Sequence, residues 1–248
     1  FMLQSNPIAE KEARQMKDCK QKWWKDAALG MFVHWGLYSM LGGVWNGRRT
    51  DNVSEWIMRH LEIPVESYRA LAASFCPENF NARQWVQLAA DSGMKYLVYT
   101  AKHHDGFAMY HSKCSKYNIV DATPFGRDPL EELAEACAMA GIKLGVYYSQ
   151  AQDWDEPNGL GYGKPDSEKN YAQYYHDKCL PQLRELLTQY GSLGLMWFDT
   201  PMSMTAEQSR GIYDLVKALQ PDCIVSGRIG NGLGEYMSTS DNFIPTLP

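Results

Sequence analysis

The stretch Leu195-Met196-Trp197-Phe198-Asp199-Thr200 runs four apolar residues, two of them aromatic, directly into a carboxylate, with Gly191 and Gly194 before it. Such a run, bounded by turn formers, reads as a strand buried on both faces. Desolvation keeps a charge out of the sheet interior. Asp199 is therefore expected where the strand leaves the sheet, with Trp197 on the same face two residues back. A carboxylate beside an indole at the rim of a buried sheet suits sugar or cation-like chemistry. The plain alternative is that Asp199 starts a turn or caps a short helix. Other apolar runs end the same way: in His34, in Lys102-His103-His104-Asp105, in Tyr147 and Ser149, and in Arg228.

Each of these residues has more than one reading. The adjacent His103 and His104 are ligand types for zinc. On an extended chain, however, neighbours point opposite ways, and no HxH or HExxH spacing occurs. Neutral imidazole both donates and accepts, which suits an uncharged polyhydroxylated ligand. Glu55 could accept two sugar hydroxyls while Trp56 stacks, or Ser54-Glu55 is ordinary helix capping. Arg228 could be a solvated turn residue. Ser149 has no nucleophile elbow, which argues against a Ser-His-Asp hydrolase.

The elements that must position these groups alternate. A charged helix is expected around residues 8–26, then a buried strand over 30–36 and an irregular segment over 37–77, within which Ser54 opens a short helix. Asn81 is a plausible N-cap for a helix with Trp85, Leu88 and Ala89 on one face, closed by Gly93. A strand follows over 96–100. Asp128 and Pro129 open a helix with Leu130, Leu133, Ala134 and Cys137 inward, ended by Gly141, before a strand over 143–149. Leu183, Leu186, Leu187 and Tyr190 mark a further helix ahead of the Asp199 strand. Thr205 and Gln208 form a capping box for a helix presenting Ile212, Leu215, Val216 and Leu219. Pro221 stops it before a strand over 223–228.

Strands alternating with amphipathic helices imply right-handed βαβ units and a parallel sheet. Five strands that aim polar residues at one edge fit a (β/α)8 (TIM-type) barrel, whose site is built at the C-terminal ends of its strands. A doubly wound sheet would concentrate its site at one switch point, and no GxGxxG or GxxxxGK[ST] follows a strand here. Only five strands are legible, or six if residues 235–238 pair, so the α/β barrel reads as incomplete at its C-terminal side.

Composition narrows the class. The chain has 248 residues, 45% hydrophobic and 21% charged, which suits a globular protein with a sizeable core. Its formal charge of -5, with scattered basic residues, gives no support to nucleic-acid or anionic-membrane partners. No apolar run reaches membrane-spanning length and no signal peptide opens the chain. The six cysteines form no CxxC pair or disulfide framework, and most read as small buried hydrophobes. Eight Trp and fifteen Tyr supply flat faces of the kind on which sugar rings stack.

Taken together, Phe32-Val33-His34-Trp35-Gly36, Ser54-Glu55-Trp56, Lys102-His103-His104-Asp105-Gly106-Phe107, Tyr147-Tyr148-Ser149 and Met196-Trp197-Phe198-Asp199 resemble the α-L-fucosidases of glycoside hydrolase family 29. The resemblance runs from about residue 25 to the end. It implies a (β/α)8-like catalytic barrel, usually followed by a C-terminal β-sandwich, and a retaining double displacement that removes terminal fucose with no metal or organic cofactor. Asp199 matches the family's nucleophile. His34, Glu55, Trp56, His103 and His104 match residues that grip the fucose hydroxyls, and Tyr147, Trp197 and Arg228 match residues lining the pocket. Tyr147 is chosen over Tyr148.

A retaining enzyme needs a second carboxyl about 5 Å from the first. In relatives with this ending it lies in a Trp-Glu-type motif after Asp241-Asn242-Phe243-Ile244-Pro245, and the chain stops at Pro248. Of the downstream carboxylates, neither Glu235 nor Asp241 matches that motif. Residues 1–248 are thus expected to be a nucleophile-bearing barrel portion that lacks its last strands, its acid/base and the β-sandwich. It would be completed by a missing segment or by homo-oligomerisation. The resemblance suggests a secreted, periplasmic or lysosomal setting. Two other functions fit the same residues: a non-catalytic fucose-binding barrel remnant, and a metal-dependent barrel hydrolase using the His pair.

Overall fold

The computed structural model describes residues 22–238 and residue 241. Five parallel strands form one sheet: β1 (Gly30–Val33), β4 (Tyr96–Lys102), β5 (Lys143–Tyr148), β6 (Leu195–Phe198) and β7 (Ile224–Val225). A small antiparallel hairpin, β2 (Val44–Trp45) with β3 (Arg48–Arg49), lies apart from it. In the sheet each strand pairs with its successor, in the order β1-β4-β5-β6-β7. That order never reverses, as it would at the switch point of a doubly wound fold. It is the winding of a (β/α)8 barrel, and among the described residues the sheet is open.

Four longer helices connect the strands: α1 (Ala82–Asp91), α2 (Pro129–Ala140), α3 (Leu180–Gln189) and α4 (Ala206–Leu219). Local chemistry sets their ends. Asn81 accepts from Gln84 N, Asp128 accepts from the amides of Leu130 and Glu131 behind Pro129, and Thr205 with Gln208 closes a reciprocal capping box. A cap of this kind is worth about 1 kcal/mol. Leu130, Leu133, Leu183, Leu186, Ile212 and Val216 are fully buried against the sheet, each stabilising by roughly 1.5–3 kcal/mol.

The sheet's period of two divides its side chains between two faces. Leu97, Tyr99, Val146, Tyr148, Met196 and Phe198 join the large core beneath the helices. Val98, Tyr147, Leu195 and Ile224 face the other way, toward the barrel interior, where Trp23, Trp24, Tyr96, Trp197 and Tyr236 pack on them.

Several details differ from the sequence reading. β1 ends at Val33, and Phe32 is 38% exposed. Among the described residues the strand pairs only with β4 and so lies at the sheet's edge. β7 stops at Val225, and Gly227–Ile229 is a 3₁₀ turn. Residues 235–238 add no sixth strand, since only a single bridge joins Ser226 to Tyr236. Leu88 is exposed, and Val86 takes its place on the buried stripe of α1. The charged helix expected over 8–26 is seen as Lys22–Asp26, its earlier part lying outside the described residues. Of the described cysteines, Cys137, Cys179 and Cys223 are buried, Cys76 and Cys114 are exposed, and all are free thiols.

Gly106 shows how tightly the region behind the site is built. Its φ is +77°, and a Cβ there would lie 2.1 Å from Asp153 Oδ1. Asp153 cannot give way, because Lys102 Nζ (3.1 Å) and Lys178 Nζ (3.0 Å) pin its carboxylate. Gly106→Ala is expected to cost about 3 kcal/mol, from left-handed strain plus overpacking. A chemical-denaturation midpoint unchanged from the parent would refute this.

Candidate active site

The C-terminal ends of the five strands, joined by the 3₁₀ turn over Ser54–Trp56 that carries Glu55 and Trp56, gather the candidate residues into one cluster. Asp199 follows β6 directly, and its backbone N–H donates to Gln150 Oε1 at 2.9 Å. Its two carboxylate oxygens have separate partners. The Tyr147 hydroxyl donates to Oδ2 at 2.9 Å, and Arg228 Nη1 donates to Oδ1 at 2.8 Å. Tyr147 and Trp197 stand opposite each other in the β5–β6 register. The phenol therefore reaches a carboxylate two residues past its partner on the same face. Tyr148 faces the other side and donates to Gln182 Oε1.

The histidines form one wall. His103 lies flat on Tyr147, with ring centroids 5.3 Å apart and planes at 8°, and His34 sits 5.5 Å from His103 and 5.3 Å from Tyr147. The ring of His104 is 4.2 Å from that of His103, and its Nε2 is 3.7 Å from Asp199 Oδ2. Both histidines can face one pocket because β4 ends at Lys102, which puts His103 and His104 past the extended strand. The β4–β5 register also slips between Thr100 and Lys102, as at a β-bulge. Trp56 meets His104 edge-on at 4.9 Å and Trp154 at 5.4 Å. Glu55, half-buried, is near enough to His34 and Tyr38 to favour their protonated forms. Trp197 packs between Phe32 (4.9 Å) and Tyr236 (5.9 Å).

Burial dominates the electrostatics. It lowers the pKa of His104 to about 3, against the opposing pull of Asp199. Burial also lowers His103 well below the ordinary value, helped by the neighbouring His104, His34 and Lys102, and it lowers His34 despite Glu55, Asp199 and Asp241. All three rings are neutral near pH 7. Burial, with Asp199 next to it, raises Tyr147 far above the usual phenol range, so it remains a donor. Among the described residues, no three His, Cys, Asp or Glu side chains gather as a metal-ligand set.

Reading the sequence missed several contributors. Gln150, fully buried, bridges Asp199 N and the Arg228 carbonyl, to which its Nε2 donates at 3.0 Å. Arg228 Nη2 donates to Asp241 Oδ1 at 3.0 Å, so one guanidinium carries both aspartates. Glu235, by contrast, is tied to Lys217 (2.6 Å) and to the amide of Val225 (3.0 Å) at the base of β7. The sequence signal for Asp241 was only its type, and for Gln150 its position one residue after Ser149.

The model of the α-L-fucosidase family matches residues 2–247. This chain belongs to the α-L-fucosidase family. It is 30% identical over 241 residues to a putative α-L-fucosidase of Caenorhabditis elegans, covering 90% of this chain and 48% of that protein. With α-L-fucosidase 1 of Arabidopsis thaliana it is 32% identical over 217 residues, or 85% of this chain and 37% of that one. The structure of the α-L-fucosidase AlfC from Lactobacillus casei, in complex with α-L-fucose product, superposes with a TM-score of 0.87 at 45% identity. That match covers 91% of this chain and 75% of that one. The chain spans about half or less of the length of these two curated relatives. The matched residues include all five strands of the sheet.

The neutral histidines have a linkage consequence. An unfolded histidine takes up a proton near pH 6.5, but folded His104 does so only near about 3. Its folded-state pKa is lowered, so acid favours the unfolded chain and stability falls as pH drops from about 6.5 toward 3. Asp105, which burial raises to about 7, acts in the opposite sense. Comparison with a variant separates the two. His104→Asn should show a shallower acid loss than the parent, by on the order of 1 kcal/mol per pH unit. In the parent, the His104 imidazole signals should not titrate between pH 8 and 5. An inflection there, or parallel stability curves, would contradict the assignment.

Proposed function

We propose that this chain is the nucleophile-bearing part of a retaining α-L-fucosidase that releases terminal α-L-fucosyl residues by double displacement. The observation that carries the reading is the setting of Asp199. Its carboxylate is oriented by Tyr147 and Arg228 at the barrel rim, 3.7 Å from a buried His104 nitrogen that has no hydrogen-bond partner. A fixed carboxylate facing neutral acceptors is suited to attack an anomeric carbon while sugar hydroxyls fill the acceptors. His34, His103, His104 and Glu55 supply the hydroxyl grip, with Trp56 beside them. The aromatic faces of Phe32 and Trp197 suit the methyl-bearing side of a 6-deoxy sugar. Relatives point to the same substrate class: one AlfC variant has been captured with Fucα(1,6)GlcNAc and with 4-nitrophenyl α-L-fucopyranoside.

In the first step Asp199 forms an ester with the anomeric carbon as the glycosidic bond breaks, and the departing oxygen takes a proton from a carboxylic acid. Water then attacks with that same group as base. The resemblance puts this group in the Trp-Glu-type motif expected after residues 241–245. Asp241 shares Arg228 with Asp199 and is 85% exposed, so its part in this reading is to hold the guanidinium that orients the nucleophile.

Two measurements on the full-length protein test the reading. Asp199→Gly should reduce turnover of an aryl fucoside by about 10³-fold or more while fucose binding changes little. Azide should then restore reaction with a good leaving group and give a fucosyl azide of inverted configuration. Undiminished turnover would exclude Asp199 as nucleophile, and fucose binding without turnover in the parent would favour the fucose-binding remnant. Asp241→Ala, which removes the second partner of Arg228, should impair a fucosyl disaccharide and an aryl fucoside to the same degree. A loss far larger on the disaccharide would move the acid role to Asp241.

A further inference from the structure

Behind the pocket wall, the protons on a short chain of polar atoms can be counted. The Ser149 hydroxyl lies 2.9 Å from the Gln152 carbonyl oxygen and 2.7 Å from His104 Nδ1. Two oxygens at 2.9 Å need a proton between them, and a carbonyl has none to give. The single Ser149 proton therefore points at Gln152 O. Toward His104, Ser149 can then only accept, so Nδ1 must carry the ring's proton. His104 is neutral, which leaves Nε2 bare.

The bare nitrogen has a defined outlook. Nε2 is fully buried and has no hydrogen-bond partner. The polar atom it faces is Asp199 Oδ2 at 3.7 Å, which is also an acceptor and already receives Tyr147. Two acceptors turned toward each other repel unless a donor enters between them. Trp56 and Trp154 flank His104 with ring faces and edges, which leave the ring little freedom to turn.

We propose that Ser149 is a positioning residue that locks His104 in its Nδ1–H tautomer, so that Nε2 is an obligate acceptor demanding a hydroxyl donor from the substrate beside Asp199. The inference rests on the fucosidase reading for the identity of that hydroxyl, and on proton counting around a neutral, buried ring for the tautomer. The lock has a cause further back. Gln152 O is held in place by the turn over 149–156, which Lys102, Asp153 and Lys178 pin from beneath and which the Trp154 amide ties to the His104 carbonyl at 2.7 Å. The buried ion pairs thus reach the pocket through one carbonyl, one hydroxyl and one ring. For selectivity, the substrate position facing His104 must donate. Fluorine or a methyl ether there cannot replace a hydroxyl.

The test uses the full-length protein labelled with 15N-histidine. In the ligand-free parent, the His104 nitrogen shifts should report a protonated Nδ1 and a bare Nε2, and a proton on Nε2 overturns the proposal outright. Among mono-deoxyfluoro fucoses, one position should bind roughly tenfold more weakly than fucose to the parent. In Ser149→Ala the ring is free to present Nε2–H. That one fluorine penalty should shrink while the penalties at other positions stay. Ser149→Thr, which keeps the hydroxyl, should restore the parent pattern. If Ser149→Ala does not fold, the parent spectrum and the parent fluorine series still decide. An unchanged fluorine penalty in a folded Ser149→Ala variant overturns the lock. A parent with the expected tautomer but no fucose binding retains the lock and overturns the fucosidase reading instead.

Discussion

The carboxylate of Asp199 is held between the phenol of Tyr147 and the guanidinium of Arg228, and the geometry of the pocket depends on those two bonds. Neither partner is local in sequence. Tyr147 arrives because β5 and β6 pair in parallel with Tyr147 opposite Trp197, and Arg228 arrives on the turn after β7. Gln150 fastens both ends, accepting from the Asp199 amide and donating to the Arg228 carbonyl. A parallel sheet wound in one direction brings these groups to one rim, whereas a doubly wound sheet would send half its connections to the opposite face. Fold and site are therefore one constraint: any change of register at β5–β6 moves the phenol off the carboxylate.

A second constraint is charge. The pocket wall consists of three neutral imidazoles, kept neutral mainly by burial even though carboxylates stand nearby. The compensating charges lie one layer deeper. Burial alone would raise Asp153, but Lys102 and Lys178 outweigh it and hold the carboxyl below its usual range, and Lys102 also donates to the Tyr174 hydroxyl at 2.9 Å. Replacing such a network with apolar side chains of equal volume is often neutral for stability. What apolar side chains could not do is fix the turn over 149–156, and with it the carbonyl that orders Ser149. The ionic cluster is better understood as setting conformation than as adding stability.

The winding of the sheet was legible because helix caps and strand runs carry strong local signals. Asn81, Asp128 and the Thr205–Gln208 pair cap where their types predict. The polar residues at strand ends were legible for a simple reason: a charge cannot remain in a buried strand, so it marks where the strand stops. What was not legible depends on neighbours far along the chain. The exposure of β1 follows from its place at the sheet edge, and the shortness of β7 from the turn at Gly227. Neither composition nor periodicity encodes the register slip in β4 or its end at Lys102, which put His103 and His104 past the extended strand. Gln150 and Asp241 carried no local signal, since an amide after a strand and an aspartate in a polar tail are both commonplace. Only the shared guanidinium of Arg228 distinguishes Asp241 from Glu235.

At the rim, the strands must satisfy two opposing demands. They have to spread to leave room for a ligand, yet Asp199 must not move. β7 ends at Val225, and past the Ser226 amide, which donates to Met196 O at 3.1 Å, Phe198 has no backbone partner on that side among the described residues. Side chains continue the ladder instead. The Ser226 hydroxyl accepts from Phe198 N at 2.9 Å and donates to Phe198 O at 3.2 Å, while on the other side Gln150 Oε1 accepts from Asp199 N. Immediately beyond, Thr200 adopts φ +46°, a region that β-branched residues avoid at a cost on the order of 1–3 kcal/mol. That strain turns the chain away from the pocket directly after the carboxylate, and the two side-chain anchors keep it from relaxing back into Asp199. Backbone pairing fixes the strand up to Phe198, and side-chain pairing fixes the one residue past it.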